Sequence, residues 1–397
     1  MNIKINDKWK YGAIPGLLIH SCLGTVYCWS LFGDYLRDSM GGMSCDWAFS
    51  LAIFLLGISA AFLGPLVEKN VKMSALMSAI FFGSGMIISG IACALGNVLM
   101  FHLGYGVIMG IGLGIGYISP IKTMLLWFKD NKGFAAGIAI AGFGMAKVLG
   151  GPGFSYFLRN FGIAEMFIFH GLLYLLIMIL AVIYIRKPKE EVINKESINL
   201  NPILWVKEII DVFKLKDFWK YWLVFFLNIT AGLSIISNEA VFFKYSGITL
   251  FTVGVAVSLC AICNSVGRLG IAWISDYIKR RDYLLGIIMV ISSLCCLIGF
   301  TTPGAVTWTV LVCNAGYGAM FSVIPVILSD RYGIDKLSKI HGVILSSWAL
   351  AGLIGNQVAR IALIFPNSYS PRVIIMCVIA IYLFGTYICS RIYSKKN

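Results

Sequence analysis

CNSVGRLGIAWISDYIKRR, residues 263–281, places one arginine inside an apolar run that extends from Phe251 to Ile274 and ends before Asp276. About 20 apolar residues, at about 1.5 Å rise each, make a helix that crosses a ~30 Å hydrocarbon layer. If such a helix leaves the membrane at Asp276, Arg268 lies roughly 12 Å inside the edge, near mid-depth. A cation there is costly, so it marks a functional site whose partner has to be identified.

The rest of the chain agrees with a spanning reading. Of its 397 residues 59% are hydrophobic and only 13% charged, with a mean hydropathy of +0.86. That composition belongs to a polytopic membrane protein rather than a soluble domain. Apolar stretches at 11–36, 47–67, 73–95, 98–119, 134–157, 164–185, 218–243, 251–274, 283–300, 306–328, 341–362 and 373–392 predict an all-α membrane protein of twelve transmembrane helices. The formal charge of +14 does not call for nucleic acid, because its placement has a simpler cause. The segment before helix 1, every second loop and the segment after helix 12 hold 24 of the 32 Lys and Arg residues. The positive-inside rule then puts both termini in the cytoplasm of a cell-membrane protein. The N-terminal MNIKINDKWK resembles the charged start of a signal peptide, but the apolar run after it has no small-x-small cleavage site and reads as a retained span. The 11 cysteines fall mostly inside predicted helices and read as small core residues, not a disulfide framework.

One long polar stretch, residues 186–220, separates six spans from six. It divides the chain into an N-terminal bundle (1–186), a cytoplasmic linker (187–217) and a C-terminal bundle (218–397). Ile203, Val206, Ile210 and Phe213 recur at helical spacing, which predicts a linker helix lying along the membrane surface. The halves repeat one another weakly. Glu68 and Asp276 stand 208 residues apart after helices 2 and 8, Pro120 and Pro325 stand 205 apart, and Gly133 and Gly342 stand 209 apart. Two pseudo-symmetric six-helix bundles leave this kind of signal.

These features resemble the major facilitator superfamily, whose loop motif reads G-x-L-x-D-R-x-G-R-R. Gly64, Leu66 and Lys69 fit its first copy, with Glu68 in place of the aspartate and Val71 in place of the glycine; Asp276, Arg280 and Arg281 fit its second. Longer stretches narrow the likeness: LGTVYCWSLF, GIGLGIGYISP with WFKDNKGFAAGIAIAGFGM, FFLNITAGLSIIS, NSVGR and HGVILSSWALAGLIG resemble the oxalate/formate antiporter family, a relative of the monocarboxylate porters. In that family the arginine of the NxxGR stretch is held to bind substrate carboxylate, a role the resemblance assigns to Arg268. A lysine of the family's eleventh span is replaced here by Trp348, and the acid that animal monocarboxylate porters carry four residues before the arginine is replaced by Asn264.

Depth sorting of the ionisable groups points the same way. All 18 Asp and Glu residues fall in loops or near predicted helix ends, whereas Arg268 and Lys147 fall near mid-membrane. A pocket with buried cations and no buried acid attracts a small anion, and arginine's planar fork suits a carboxylate. Tyr27, Tyr117, Tyr317 and Trp348 are the aromatic candidates to complete the substrate site, with Trp29 and Phe321 beside them. Asp276 and Glu68 are the expected gating residues of the loop motif. Lys122 is expected to snorkel to the cytoplasmic end of helix 4, and His20 and His170 to make helix contacts. Small-residue faces at Gly106, Gly110 and Gly114, and at Gly133 and Gly137, are expected to bring helices 4 and 5 together.

The predicted function is secondary active transport of a small mono- or dicarboxylate, such as formate, oxalate, pyruvate or lactate, by alternating access and anion exchange. Proton-coupled symport is the variant within that class, and a carboxylate sensor on a transporter scaffold is the rival from another. No cluster of nucleophile, base or metal ligands at depth supports an enzyme. The expected partners are the anion and the lipid bilayer, with no cofactor, no nucleic acid and a monomeric carrier.

Overall fold

In the computed structural model, which describes residues 5–188, 202–247, 250–362 and 370–393, the chain is helical and carries no strand among the described residues. Twelve helices among them are long and apolar enough to cross a membrane: α1 (Asn6–Trp29), α2 (Asp46–Gly64), α3 (Val71–Leu95), α4 (Val98–Trp127), α5 (Lys132–Asn160), α6 (Ile163–Tyr184), α7 (Phe218–Ile236), α8 (Ser258–Ser275), α9 (Asp282–Thr301), α10 (Pro303–Tyr332), α11 (Ile334–Gly355) and α12 (Pro371–Ile392). Helices are forced here because hydrocarbon offers a backbone no external hydrogen-bond partner. On α6, Leu172, Leu176, Ile179, Leu180 and Ile183 are exposed at helical spacing, which is the apolar face lipid requires.

Helices α1–α6 pack into one bundle and α7–α12 into another. Between the bundles α2 lies against α11, and α5 against α8 and α10. Glycine sets these approaches. A Cβ on Gly133 would overlap the Ala272 carbonyl oxygen of α8, and one on Gly342 would overlap the Ala60 carbonyl oxygen of α2. Two glycines 209 residues apart in the repeat therefore do the same work in opposite halves. The expected α4–α5 pairing is corrected: Gly106, Gly110 and Gly114 face α2, while Gly133 and Gly137 face α8. Spacing identifies a smooth face but not the helix that will use it.

Two boundaries move for physical reasons. α4 and α10 run through Pro120 and Pro325 to Trp127 and Tyr332, longer than the apolar stretches, because protein covers these ends: α4 stays buried to Trp127 and α10 to Ser329. α7 stops at Ile236 instead of continuing to 243. Ser237 Oγ donates back to the Leu233 carbonyl at 2.7 Å and Asn238 Nδ2 to the Ser234 carbonyl at 3.1 Å, which turns the chain before a short helix, Glu239–Tyr245. The linker helix, Pro202–Phe213, forms and lies across α2, α7 and α11. Ile209 and Val212 are its buried contacts, whereas Val206 and Ile210 point outward. All 11 cysteines are free.

Candidate functional site

Arg268 sits in a single π-helical turn, Gly267–Ile271, inside α8 and is wholly buried. Such wide turns recur at functional positions because they re-aim one side chain without ending the helix. Its Nε donates to the Asn264 side-chain oxygen at 2.7 Å and its Nη1 to the Ile140 carbonyl of α5 at 3.3 Å. The guanidinium stands 5.1 Å from the Phe321 ring centroid and 5.6 Å from that of Phe143. Glycines on both sides let its stem through: a Cβ on Gly144 would lie 3.3 Å from Cδ, and one on Gly318 would lie 3.1 Å from Cγ and overlap the Asn264 carbonyl. The second terminal nitrogen, Nη2, has no hydrogen-bond partner among the described residues.

Asp276 does not pair with Arg268. Its carboxylate accepts from the backbone N–H groups of Gly133 at 2.8 Å and Phe134 at 2.9 Å, and pairs with Arg281 at 2.9 Å. It thus meets the amino-terminal turn of α5 from the opposite bundle, where free N–H groups and the helix dipole favour an anion. Arg281 also pairs with Asp330, and Lys132 at the start of α5 pairs with Asp330 at 3.0 Å. Lys122 is not at the surface: it is buried and donates to the Ile334 carbonyl of the other bundle. This corrects the snorkelling expectation, since α4 is covered where its end was expected to be free. The side chain of Glu68 lies outside the described residues.

The aromatic residues form one cluster around Arg268. Tyr117 lies 5.5 Å from Phe143, 5.3 Å from Trp348 and 6.3 Å from Phe321. Trp348 lies 4.6 Å from Phe321 and 5.9 Å from Phe143. Tyr27 packs on Phe143 at 5.3 Å and shares a 2.9 Å hydroxyl–hydroxyl hydrogen bond with Tyr317, which packs on Phe321 at 5.0 Å. Arg268, Tyr27, Tyr117, Tyr317 and Trp348 are thereby joined through Phe143 and Phe321, with contributions from α1, α4, α5, α8, α10 and α11. Trp29 is elsewhere, packed on Phe49, Phe101 and Tyr105.

The cluster is rich in unused donors. Besides Arg268 Nη2, the Tyr117 hydroxyl and the Trp348 ring N–H are buried without a partner among the described residues. Each such group costs about 1–3 kcal/mol when left unpaired. An ionised carboxylate offers about four acceptor sites and brings none of its own donors. One small anion would answer all three groups and the arginine's charge together.

Lys147 is not part of this cluster, and it does not lack an acidic partner. Its Nζ lies 3.3 Å from Glu239 Oε2, with both side chains largely buried, and Asn314 Nδ2 donates to Glu239 Oε1 at 3.1 Å. This corrects the expectation that nothing acidic lies at depth. Glu239 reads as a residue near the end of α7, and only the turn at Ser237–Asn238 carries it inward to meet α5 and α10. His20 and His170 make the expected contacts, to the Tyr117 carbonyl at 3.0 Å and the Met166 carbonyl at 2.8 Å. Phe143, Glu239, Asn314 and His341 escape the sequence reading; a histidine in an apolar stretch, His341, is the one that left a signal.

Residues 18–356 match the family model described as Major Facilitator Superfamily. Among curated proteins the chain is similar to the uncharacterised MFS-type transporter YhjX of Escherichia coli, at 26% identity over 86% of this chain and 85% of the other. It is 24% identical to the oxalate:formate antiporter of Oxalobacter formigenes, over 88% of this chain and 84% of that one. The same identity, over 85% and 80%, relates it to apicoplast pyruvate carrier 1 of Toxoplasma gondii. Among solved structures, the proton:xylose symporter XylE superposes with a TM-score of 0.72 at 16% identity, covering 94% of each chain.

Proposed function

The chain belongs to the Major Facilitator Superfamily and is a multi-pass membrane transporter, not an enzyme; from that premise we propose that it exchanges small carboxylate anions, monocarboxylates above all, across the cell membrane. The observation that carries this is the buried Arg268 in the same aromatic cluster as Tyr117 and Trp348, where Nη2, the Tyr117 hydroxyl and the Trp348 N–H meet no acceptor among the described residues. Because Glu239 already meets the charge of Lys147, Arg268 brings one net positive charge to the cluster, which matches a monovalent anion better than a dianion. Two relatives named for oxalate:formate exchange and for pyruvate support the substrate class. The Lys and Arg loop pattern supports cytoplasmic termini, and a site built from one chain supports a monomeric carrier.

Residues 1–186 and 218–397 are the two rocking bodies, tethered by 187–217. Reorientation separates the halves at one side at a time. On the cytoplasmic side the Asp276 cap on α5 and the Arg281–Asp330–Lys132 pairs must release, and on the other side the Lys147–Glu239 pair. Asp276→Asn keeps the size but loses the charge that the α5 terminus and Arg281 share. It is expected to lower the maximal exchange rate about tenfold while the half-saturating substrate concentration moves less than about twofold. Initial rates over a range of external substrate check this.

The test of substrate class is counterflow in proteoliposomes preloaded with a panel of carboxylates. Accumulation of label against an internal monocarboxylate, independent of an imposed pH gradient, is the expected result. Accumulation that follows the pH gradient would replace exchange by proton symport, and no counterflow with any carboxylate would sink the substrate class.

A further inference from the structure

His341 is 1% exposed, yet neither ring nitrogen has a hydrogen-bond partner among the described residues. The other three histidines each bond a backbone carbonyl: His20 to Tyr117, His102 to Val98 and His170 to Met166. A buried imidazole with two idle nitrogens is an exception that asks for a ligand. Its position supplies one. His341 precedes Trp348 by seven residues on α11, and both rings abut Tyr117, at 6.1 Å and 5.3 Å. Tyr117 also packs on Phe143 and Phe321, the two rings beside the Arg268 guanidinium, so it links His341 to the carboxylate cluster.

We propose that His341 is a specificity-determining substrate contact that reads a second oxygen on the anion held at Arg268, so that the preferred substrates are 2-oxo and 2-hydroxy monocarboxylates. The inference rests on the carboxylate reading of the Arg268 cluster. A neutral imidazole carries one N–H donor and one acceptor nitrogen. The N–H serves a 2-oxo group, and either nitrogen serves a 2-hydroxyl. Propionate, which has pyruvate's chain length but a methylene in place of the carbonyl, leaves both nitrogens idle. A site built to bond an oxygen rejects the analogue that lacks it because its own polar group is then buried unpaired.

The test compares apparent dissociation constants of pyruvate, lactate and propionate for the purified full-length protein, read by intrinsic tryptophan fluorescence. The native protein should favour pyruvate and lactate over propionate by about 10- to 100-fold, the range for one hydrogen bond in a water-free site. His341→Phe should collapse that ratio to within about twofold while propionate itself moves less than about threefold, and His341→Gln, which keeps a donor, should retain most of it. Should His341→Phe fail to fold, His341→Leu serves in its place with the same expected collapse. No preference in the native protein, or a preference that survives in His341→Phe or His341→Leu, overturns the assignment. Arg268→Lys separates the two readings: it should weaken all three acids alike. If none of the acids binds the native protein, the carboxylate site and this contact fall together.

Discussion

Arg268→Lys is expected to cut carboxylate counterflow by about 100-fold or more, although the substitution preserves charge. Arginine presents a planar fork already fixed here by Asn264 and Ile140, with Nη2 left over for the substrate. Lysine offers a single point charge on a flexible stem, so the carboxylate loses the oriented Nη2 bond and the Asn264 oxygen loses its donor. A bond to a charged group is worth about 1.5–3 kcal/mol, and two such losses reach or exceed two orders of magnitude. Stability separates a binding role from a structural one. Arg268→Met fills much of the same volume and removes a buried charge that has no acidic partner among the described residues. It is expected to abolish counterflow while leaving the thermal unfolding midpoint in detergent unchanged or higher. A drop of about 4 °C or more with transport retained would make Arg268 a structural residue.

The Lys147–Glu239 pair gives the opposite pattern. Lys147→Gln or Glu239→Gln alone leaves one charge buried without its partner, and each is expected to destabilise the protein by about 3–5 kcal/mol. The double substitution removes both charges and replaces them with amides that can bond each other and Asn314. It should recover most of that loss, so the coupling between the two sites is large and favourable. The check is a thermal double-mutant cycle with counterflow measured on each variant. Transport by the stable double variant within about tenfold of the native rate is the expected result, because the pair closes the path rather than holding substrate. A stable double variant that no longer transports would return Lys147 to the substrate site.

Much of this could be read from the sequence, and the failures share a cause. Hydropathy set the twelve spans because a bilayer leaves a polypeptide few alternatives. The depth of Arg268 followed from helical rise alone, and its freedom from Asp276 from eight residues of separation. Tyr27, Tyr117 and Trp348 were legible through the family-like stretches that hold them, and Tyr317 only as an aromatic ring in a span, which is more often packing. Partners across the bundle interface were not legible. Lys147 and Glu239 are 92 residues apart, and their meeting depends on two back-bonding side chains at Ser237 and Asn238. The glycine faces were assigned to the wrong neighbours for the same reason: periodicity along one helix carries no information about which helix faces it.

The central claim is that a substrate carboxylate sits on the Arg268 guanidinium, and a distance measurement tests it most directly. Solid-state NMR of 15N-arginine-labelled protein in lipid, loaded with [1-13C]pyruvate, reports the separation of the carboxylate carbon from guanidinium nitrogen. The account predicts a contact of about 4 Å, the spacing a charge-assisted N–H···O bond imposes, which disappears in Arg268→Lys. Bound pyruvate that shows no arginine contact, or one that persists in Arg268→Lys, would contradict it.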